Sequence, residues 1–258
     1  MGNKNARLNR LVDILQARGP VSVKELAAEL DVSEMTVRRD LKLLQQSAPE
    51  APGGMAAFPG ARPAIRMEKT YDLAQETQHQ NAEKSDIGRF AASLVQPEET
   101  IILDTGTTTV HIARNLPASQ SLTVLCYNTN ILMELRRLPN ADLLFAGGHY
   151  HPNAQMFESP QGIDFIRSVR VHKVFVSAAG IHEGLGVTCV NSYEVETKKA
   201  ILKSSLQKIL VADSSKFGAI HSCYFCDLDD IDVVVTNKDL DPEWVETIKR
   251  HKIQLYLV

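Results

Sequence analysis

Apolar residues recur at helical spacing from the start of the chain, with Leu8, Leu11, Val12 and Leu15 forming one stripe that ends near Arg18-Gly19-Pro20. Ser22-Val23-Lys24-Glu25 then has the form of a capping box, hydroxyl toward the third amide and carboxylate back toward the cap. Leu26, Ala27 and Leu30 supply the inward face of the helix that it opens. A turn at Asp31-Val32 leads to Ser33, a cap for a third helix whose Val37, Leu41 and Leu44 face inward. Two short helices, a tight turn and a polar-faced helix predict a helix-turn-helix.

Between Ser47 and Pro63 the pattern breaks, because Pro49, Pro52, Gly53, Gly54, Pro59, Gly60 and Pro63 suit neither a helix nor a central strand. A wing and then a linker are expected there. Helical spacing returns over Tyr71 to Val95, with Ile87, Phe90, Ala91 and Leu94 on one face. From Thr100 onward short apolar runs alternate with helical stretches. Strands are predicted at Ile101–Asp104, Leu122–Tyr127, Asp142–Ala146, Lys173–Ala178, Lys208–Ala212, Val233–Thr236 and Gln254–Val258. Helices are predicted at Thr108–Asn115, Ile131–Arg137, Tyr193–Ser205 and Pro242–His251. Strand and helix in turn predict an α/β fold with a mostly parallel sheet covered on both faces, whose ligands bind at the carboxyl ends of the strands. The expected division is a winged helix-turn-helix over 1–58, a linker over 59–70 and an α/β domain over 71–258.

Composition narrows this picture. At 258 residues, 44% hydrophobic and 23% charged, the chain is globular rather than fibrous or disordered. Its net charge of −3 excludes a wholly basic nucleic-acid binder, but the charge is uneven. Residues 1–46 carry eight basic side chains against six acidic ones, so a DNA-facing head sits on an acidic body. No apolar run is long enough to cross a bilayer and the polar start Met1-Gly2-Asn3-Lys4-Asn5 has no secretory core, so a cytoplasmic protein with no membrane partner is expected. Four cysteines are too sparse for a disulfide framework.

A helix-turn-helix puts the start of its last helix in the major groove, which makes Ser33, Glu34, Met35, Thr36, Arg38 and Arg39 the candidate DNA-binding residues. Arginine gives bidentate contacts to guanine or phosphate, and threonine can touch a thymine methyl or a phosphate. In the body, Asp104-Thr105-Gly106-Thr107-Thr108-Thr109 joins a strand to a helix start, where amides and the positive end of the helix dipole can cradle a phosphate. Helix capping alone also explains such a turn. Asn128-Thr129-Asn130, Gly147-Gly148, Gly180 and Asp213-Ser214-Ser215-Lys216 fall at the ends of neighbouring strands, with Glu194 and Lys198 nearby. Amides, hydroxyls, a lysine and carboxylates converging there fit a small phosphorylated polyol. Glu194 and Lys198 also read as an ordinary i,i+4 ion pair.

The stretches Val21-Ser22-Val23-Lys24-Glu25-Leu26-Ala27 and Val32-Ser33-Glu34-Met35-Thr36-Val37-Arg38-Arg39-Asp40-Leu41 resemble the head of the DeoR family of bacterial sugar-catabolism regulators. That family's wing usually reads Arg-x-His-Gly-Gly-Ala, and only Gly53-Gly54 stands here, so the usual wing contact to DNA is not carried over. From about Lys84 to Val258 the chain resembles the family's sensor domain, through Asp104-Thr105-Gly106-Thr107-Thr108, Gly147-Gly148, Gly180 with Gly186-Val187-Thr188, Glu194 with Lys198, and Asp213-Ser214-Ser215-Lys216-Phe217-Gly218. The resemblance implies a fold like that of ribose-5-phosphate isomerase, a phosphorylated sugar effector, and repression of a catabolic operon from operator DNA. Cys126-Tyr127, Ser177-Ala178-Ala179-Gly180-Ile181-His182 and Thr188-Cys189-Val190-Asn191 look like the family's deoxyribonucleoside regulators, which implies deoxyribose 5-phosphate as inducer, with another pentose or hexose phosphate as the alternative.

Three other readings compete with a regulator. A sugar-phosphate isomerase-like enzyme could use Asp104, or Asp213 with Lys216, for enediol chemistry, but a dedicated DNA head favours a sensor. An architectural DNA binder needs more positive charge than this head carries. Cys223-Tyr224-Phe225-Cys226 has no second pair at matching spacing, so neither a metal nor any cofactor is expected. His149 and His151 are expected on a loop and receive no role. Association of sensor domains is expected to pair the heads on DNA, making a homo-oligomer.

Overall fold

A computed structural model of the chain describes residues 80–258, together with Leu26, Ala27, Glu29, Leu30, Val32, Ser33, Thr36, Val37 and Leu73. The chain divides into two compact units, Met1–Met67 and Glu68–Val258. In the first unit Leu26 and Val37 are fully buried and Ala27 nearly so, the inward positions expected of two successive helices. Leu30, expected in the same core, is half-buried. Ser33 Oγ accepts from the Thr36 amide at 3.2 Å, which is the expected cap. The stripe from Leu8 to Leu15, the pair Leu41 and Leu44, and the wing and linker expected over 47–70 lie outside the described residues.

In the second unit, α1 (Asn81–Ser93) leads into β1 (Thr100–Leu103), α2 (Thr107–Asn115), β2 (Leu122–Cys126), α3 (Thr129–Leu135) and β3 (Ala141–Phe145). A hairpin of β4 (His149–His151) and β5 (Met156–Glu158), then α4 (Pro160–Ser168), precede β6 (Val171–Ser177). Next come β7 (Gly180–His182), β8 (Gly186–Cys189), α5 (Val195–Ser204), β9 (Ser205–Val211), β10 (Cys223–Cys226), β11 (Val233–Thr236), α6 (Pro242–Arg250) and β12 (Gln254–Leu257).

Seven of these strands form one sheet in the order β12-β11-β9-β6-β1-β2-β3, every neighbouring pair parallel. Alternate residues of each strand point to opposite faces, and both faces are apolar. Ile102, Leu125, Val174, Val176, Leu210 and Val234 face one core, which Ile163 and Ile166 of α4, Ile201 of α5 and Ile248 of α6 close. Ile101, Leu103, Val124, Phe175, Ile209 and Val235 face the other, closed by Ile87 and Ala91 of α1, Ile112 of α2 and Ile131 of α3. Such double burial is why the strands read as continuous apolar runs rather than alternating ones. Each buried side chain of this size contributes about 1.5–3 kcal/mol.

The strands and helices predicted from Thr100 onward are present, with ends shifted by a few residues at most; of the helical spacing over Tyr71 to Val95, Asn81–Ser93 is helix, and 71–79 apart from Leu73 lies outside the described residues. Asp104, Tyr127 and Ala178 lie just past their strands, which places them at the sheet's carboxyl edge. The segment from Ser192 to Glu194 is a separate 3-10 turn before α5. Three features are additional. Helix α4 opens on Pro160, which resembles a breaker but sits in the first turn, where its missing N–H has no partner to lose, and Ser159 caps the helix by accepting from Gly162 N at 2.9 Å. His149 and His151 lie on strand β4, not on a loop, with rings 4.9 Å apart. A small antiparallel sheet in the order β10-β8-β7 packs on the first core.

Chain direction fixes where a ligand can sit. From β1 the chain moves outward through β2 to β3, then returns to place β6 on the other side of β1. The strand order reverses between β1 and β6, and a crevice opens outside the carboxyl ends at such a reversal. Among the described residues, no helix is long and apolar enough to cross a membrane.

Candidate functional site

Asp104 follows β1 at this reversal and is wholly buried, its amide donating to Phe175 O of β6 at 3.0 Å. Ser177, the last residue of β6, donates its amide to Asp104 Oδ2 at 2.8 Å and its hydroxyl to Thr105 O at 2.6 Å. Gly106 makes the turn into α2 with φ 154°, and a Cβ there would fall 2.6 Å from Ser177 Oγ. Only glycine allows the loop to lie this close to β6.

Lys198 of α5 reaches into the same point. Its ammonium donates to Asp104 Oδ2 at 2.5 Å and to Ser177 O at 3.1 Å, stands 3.8 Å from Glu194 Oε2, and lies 5.1 Å from the centre of the Phe225 ring. Tyr127, at the end of β2, donates its hydroxyl to Asp104 Oδ1. Asn191 donates to Glu194 Oε1 at 2.7 Å. Burial opposes the charge on Lys198, but Asp104 and Glu194 outweigh it and raise its pKa. Burial raises Glu194 above the ordinary carboxylate range against the pull of Lys198. Burial and then Asp104 raise the Tyr127 phenol, which stays a proton donor. Lys198 is therefore held as an ammonium whose partner is Asp104, in addition to the i,i+4 pairing with Glu194.

Beside this cluster Asn128 is wholly buried, and among the described residues neither Oδ1 nor Nδ2 has a hydrogen-bond partner. Asn130 Oδ1 is likewise buried and unpaired. Residues 152–156 cross this edge of the sheet. Thr105 Oγ1 donates to Ala154 O at 3.2 Å, Thr129 N to Gln155 O at 2.8 Å, and Tyr193 OH to Asn153 Oδ1 at 2.8 Å. His151 stacks on Tyr193 with ring centres 3.7 Å apart.

The expected residues thus divide. Asp104, Glu194 and Lys198 make one bonded cluster, with Thr105, Gly106, Asn128 and Thr129 next to it. Thr107, Thr108 and Thr109 occupy the buried first turn of α2, where backbone amides have no partner within the helix, and Thr109 Oγ1 donates to Gly106 O at 3.1 Å. Gly147 and Gly148 line a different cleft of about 390 Å³ with Phe145, Ser159, Gln161 and Phe165. Gly180 is in β7, its carbonyl accepting from Thr188 Oγ1 at 3.1 Å. Asp213 caps and Lys216 ends a 3-10 turn after β9, where Ser214 N donates to Asn237 Oδ1 at 2.7 Å and Asp213 accepts from Ser215 N at 3.1 Å. Tyr127, Ser177, Asn191 and Phe225 complete the cluster without having been picked out as site residues. Tyr127, Ser177 and Asn191 carry a sequence signal, since each falls in a stretch whose resemblance points to the inducer.

In the head, Ser33 is exposed and its hydroxyl lies 2.9 Å from Thr36 Oγ1. Glu34, Met35, Arg38 and Arg39 lie outside the described residues. Among the described residues no group of three or more His, Cys, Asp or Glu side chains is placed to hold a metal ion.

Comparison with known proteins matches residues 7–54 to the DeoR-like helix-turn-helix domain and residues 79–238 to the DeoR C terminal sensor domain. The chain is 31% identical to the deoxyribose operon repressor of Escherichia coli K12 over 255 residues, 98% of each chain. It is 29% identical to the HTH-type transcriptional regulator IolR of Bacillus subtilis 168, over 98% of this chain and 99% of that one. Among solved structures it is similar to ribose 5 phosphate isomerase A from Neisseria gonorrhoeae, with 14% identity, 53% of each chain covered and a TM-score of 0.38.

Proposed function

Since the chain belongs to the DeoR family of helix-turn-helix transcriptional repressors, we propose that it silences a sugar or deoxyribonucleoside catabolic operon and leaves its operator when a phosphorylated sugar fills the sensor unit. It is a regulator and not an enzyme, as its relatives are. The head over 1–58 holds DNA through Ser33, Glu34, Met35, Thr36, Arg38 and Arg39. The segment 59–70 joins it to a sensor over 71–258, and sensor domains associate so that two heads meet two half-sites.

Asn128 carries the effector reading. A buried amide with neither atom bonded is rare and costs about 1–3 kcal/mol, a cost removed when a ligand's hydroxyl or phosphoryl oxygen bonds to it. The first-turn amides of α2 with Thr107 and Thr108 suit the phosphoryl group, and the Asp104 cluster fixes the loop that presents them. Asn130, Gly180, Asp213 and Lys216 extend the proposed effector surface, and Gly147 and Gly148 contribute through their own cleft. Deoxyribose 5-phosphate is the effector we favour, in keeping with the similarity to the deoxyribose operon repressor along nearly the whole chain.

A thermal-shift panel on the full chain tests this, with deoxyribose 5-phosphate, other pentose and hexose phosphates, and inorganic phosphate as ligands. A ligand at a hundredfold excess over its Kd adds about 2.7 kcal/mol to folded-state stability. Stabilisation by deoxyribose 5-phosphate beyond that of the others is expected. A larger shift with a different sugar phosphate replaces the effector, and no shift with any removes the sensor reading.

A further inference from the structure

Cys223-Tyr224-Phe225-Cys226 has the spacing of a redox or metal pair, yet the fold keeps its two thiols apart. All four residues form β10, so Cys223 and Cys226 stand ~10 Å apart along an extended chain. A disulfide spans Cα atoms no more than about 7 Å apart. Cys226 pairs across the ladder with Val187.

Cys223 is instead the direct antiparallel partner of Cys189 on β8, 34 positions earlier in the chain. Directly opposed antiparallel residues have Cα atoms about 4.5–5.5 Å apart and side chains on one face, within the range that a disulfide bridges. Cys189 Sγ lies 3.5 Å from Cys223 O, and Cys223 Sγ lies 3.4 Å from Val190 O, so each sulfur reaches the backbone of the opposing segment. Both residues pack against the same apolar core, Cys189 buried and Cys223 at its half-exposed rim.

We propose that Cys189 and Cys223 are a reversible redox modification site, converted by a hydroperoxide into a disulfide that ties β8 to β10. Cys223 at the rim reacts first, because burial and then the Glu194 carboxylate raise the Cys189 thiol and keep it protonated. Its thiolate attacks a peroxide oxygen, the O–O bond breaks, and the hydroxide released takes up a proton to leave as water. The Cys189 sulfur then attacks the sulfenic sulfur, the S–O bond breaks and a second water leaves. Two thiols and one hydrogen peroxide thus become one disulfide and two waters. The bond would fasten the strands beside the lysine cluster, since Asn191, which holds Glu194, follows Cys189, and Phe225, which lies near the Lys198 ammonium, follows Cys223.

The test treats the full chain with hydrogen peroxide, alkylates remaining thiols and digests with trypsin without reduction. The expected product joins peptide 174–198 to peptide 217–238 at two hydrogens below the summed mass, with Cys226 alkylated, and dithiothreitol reverses it. Cys226→Ala keeps the cross-link and Cys223→Ser loses it. A bridge within 217–238, sulfinic acid at Cys223 alone, or untouched thiols would overturn the proposal. The readout is independent of effector and operator, so it stands or falls apart from the function proposed above.

Discussion

Asp104 and Lys198 stand 94 positions apart in the chain and 2.5 Å apart in space, a carboxylate at the end of the central strand bonded to an ammonium from a helix on one face of the sheet. Neither side chain is more than 2% exposed, so the ion pair is buried as a unit. Removing one partner from a buried pair typically costs about 3–5 kcal/mol, because a charge is left uncompensated. Lys198→Met and Asp104→Asn are each expected to lose stability on that scale. The double variant is expected to recover part of the loss, and urea denaturation of all three checks this coupling.

Asn128 predicts a different outcome. A leucine there removes two buried polar atoms that have no partner among the described residues, so Asn128→Leu is expected to hold stability or raise it by up to about 1–3 kcal/mol. The same change is expected to abolish stabilisation by deoxyribose 5-phosphate. Thermal midpoints with and without the sugar phosphate read both effects, and a variant that still responds removes Asn128 from the pocket.

His111 ties stability to pH. Burial, then Arg114 and Lys84, depress its pKa below the ordinary value of 6.5. The unfolded chain therefore binds a proton that the folded chain resists. This contribution is complete above pH 6.5 and is lost as pH falls through the lower folded value. Glu194, raised by burial, acts in the opposite sense: its contribution is complete below its ordinary 4.5 and is lost as pH rises through the raised folded value. Melting curves from pH 7.5 to about 5.5 are expected to show a steeper loss for the natural chain than for His111→Gln.

At the head, Arg38→Ala is expected to weaken operator binding by about 1–3 kcal/mol if it reads a guanine, while leaving sugar-phosphate binding intact. Gel-shift titration beside the thermal-shift assay separates the two. Unchanged operator affinity takes Arg38 off the DNA face.

The parallel sheet was legible because its strands are buried on both faces, so Ile101-Ile102-Leu103, Val174-Phe175-Val176 and Val233-Val234-Val235 stand out as apolar runs between polar segments. The hairpin of β4 and β5 was not, since three-residue strands give too little pattern and His149-Tyr150-His151 looks like a polar loop. At the site, Asp104 was found through its glycine and threonine neighbours, and Lys198 through its spacing from Glu194. Their bond to each other was hidden because it joins two elements distant in sequence. Phe225 was equally hidden, as its place near the Lys198 ammonium depends on the small sheet folding back over α5.

Because β1 pairs with β2 on one side and β6 on the other, a chain leaving the ribosome completes β1, β2 and β3 well before the crevice has its second wall. Another 94 residues must follow Asp104 before Lys198 emerges, which takes about 5–20 s at typical synthesis rates. For that interval the nascent chain carries a finished DNA-reading segment and an aspartate without its counter-ion. Translation supplies the reader first and its control last.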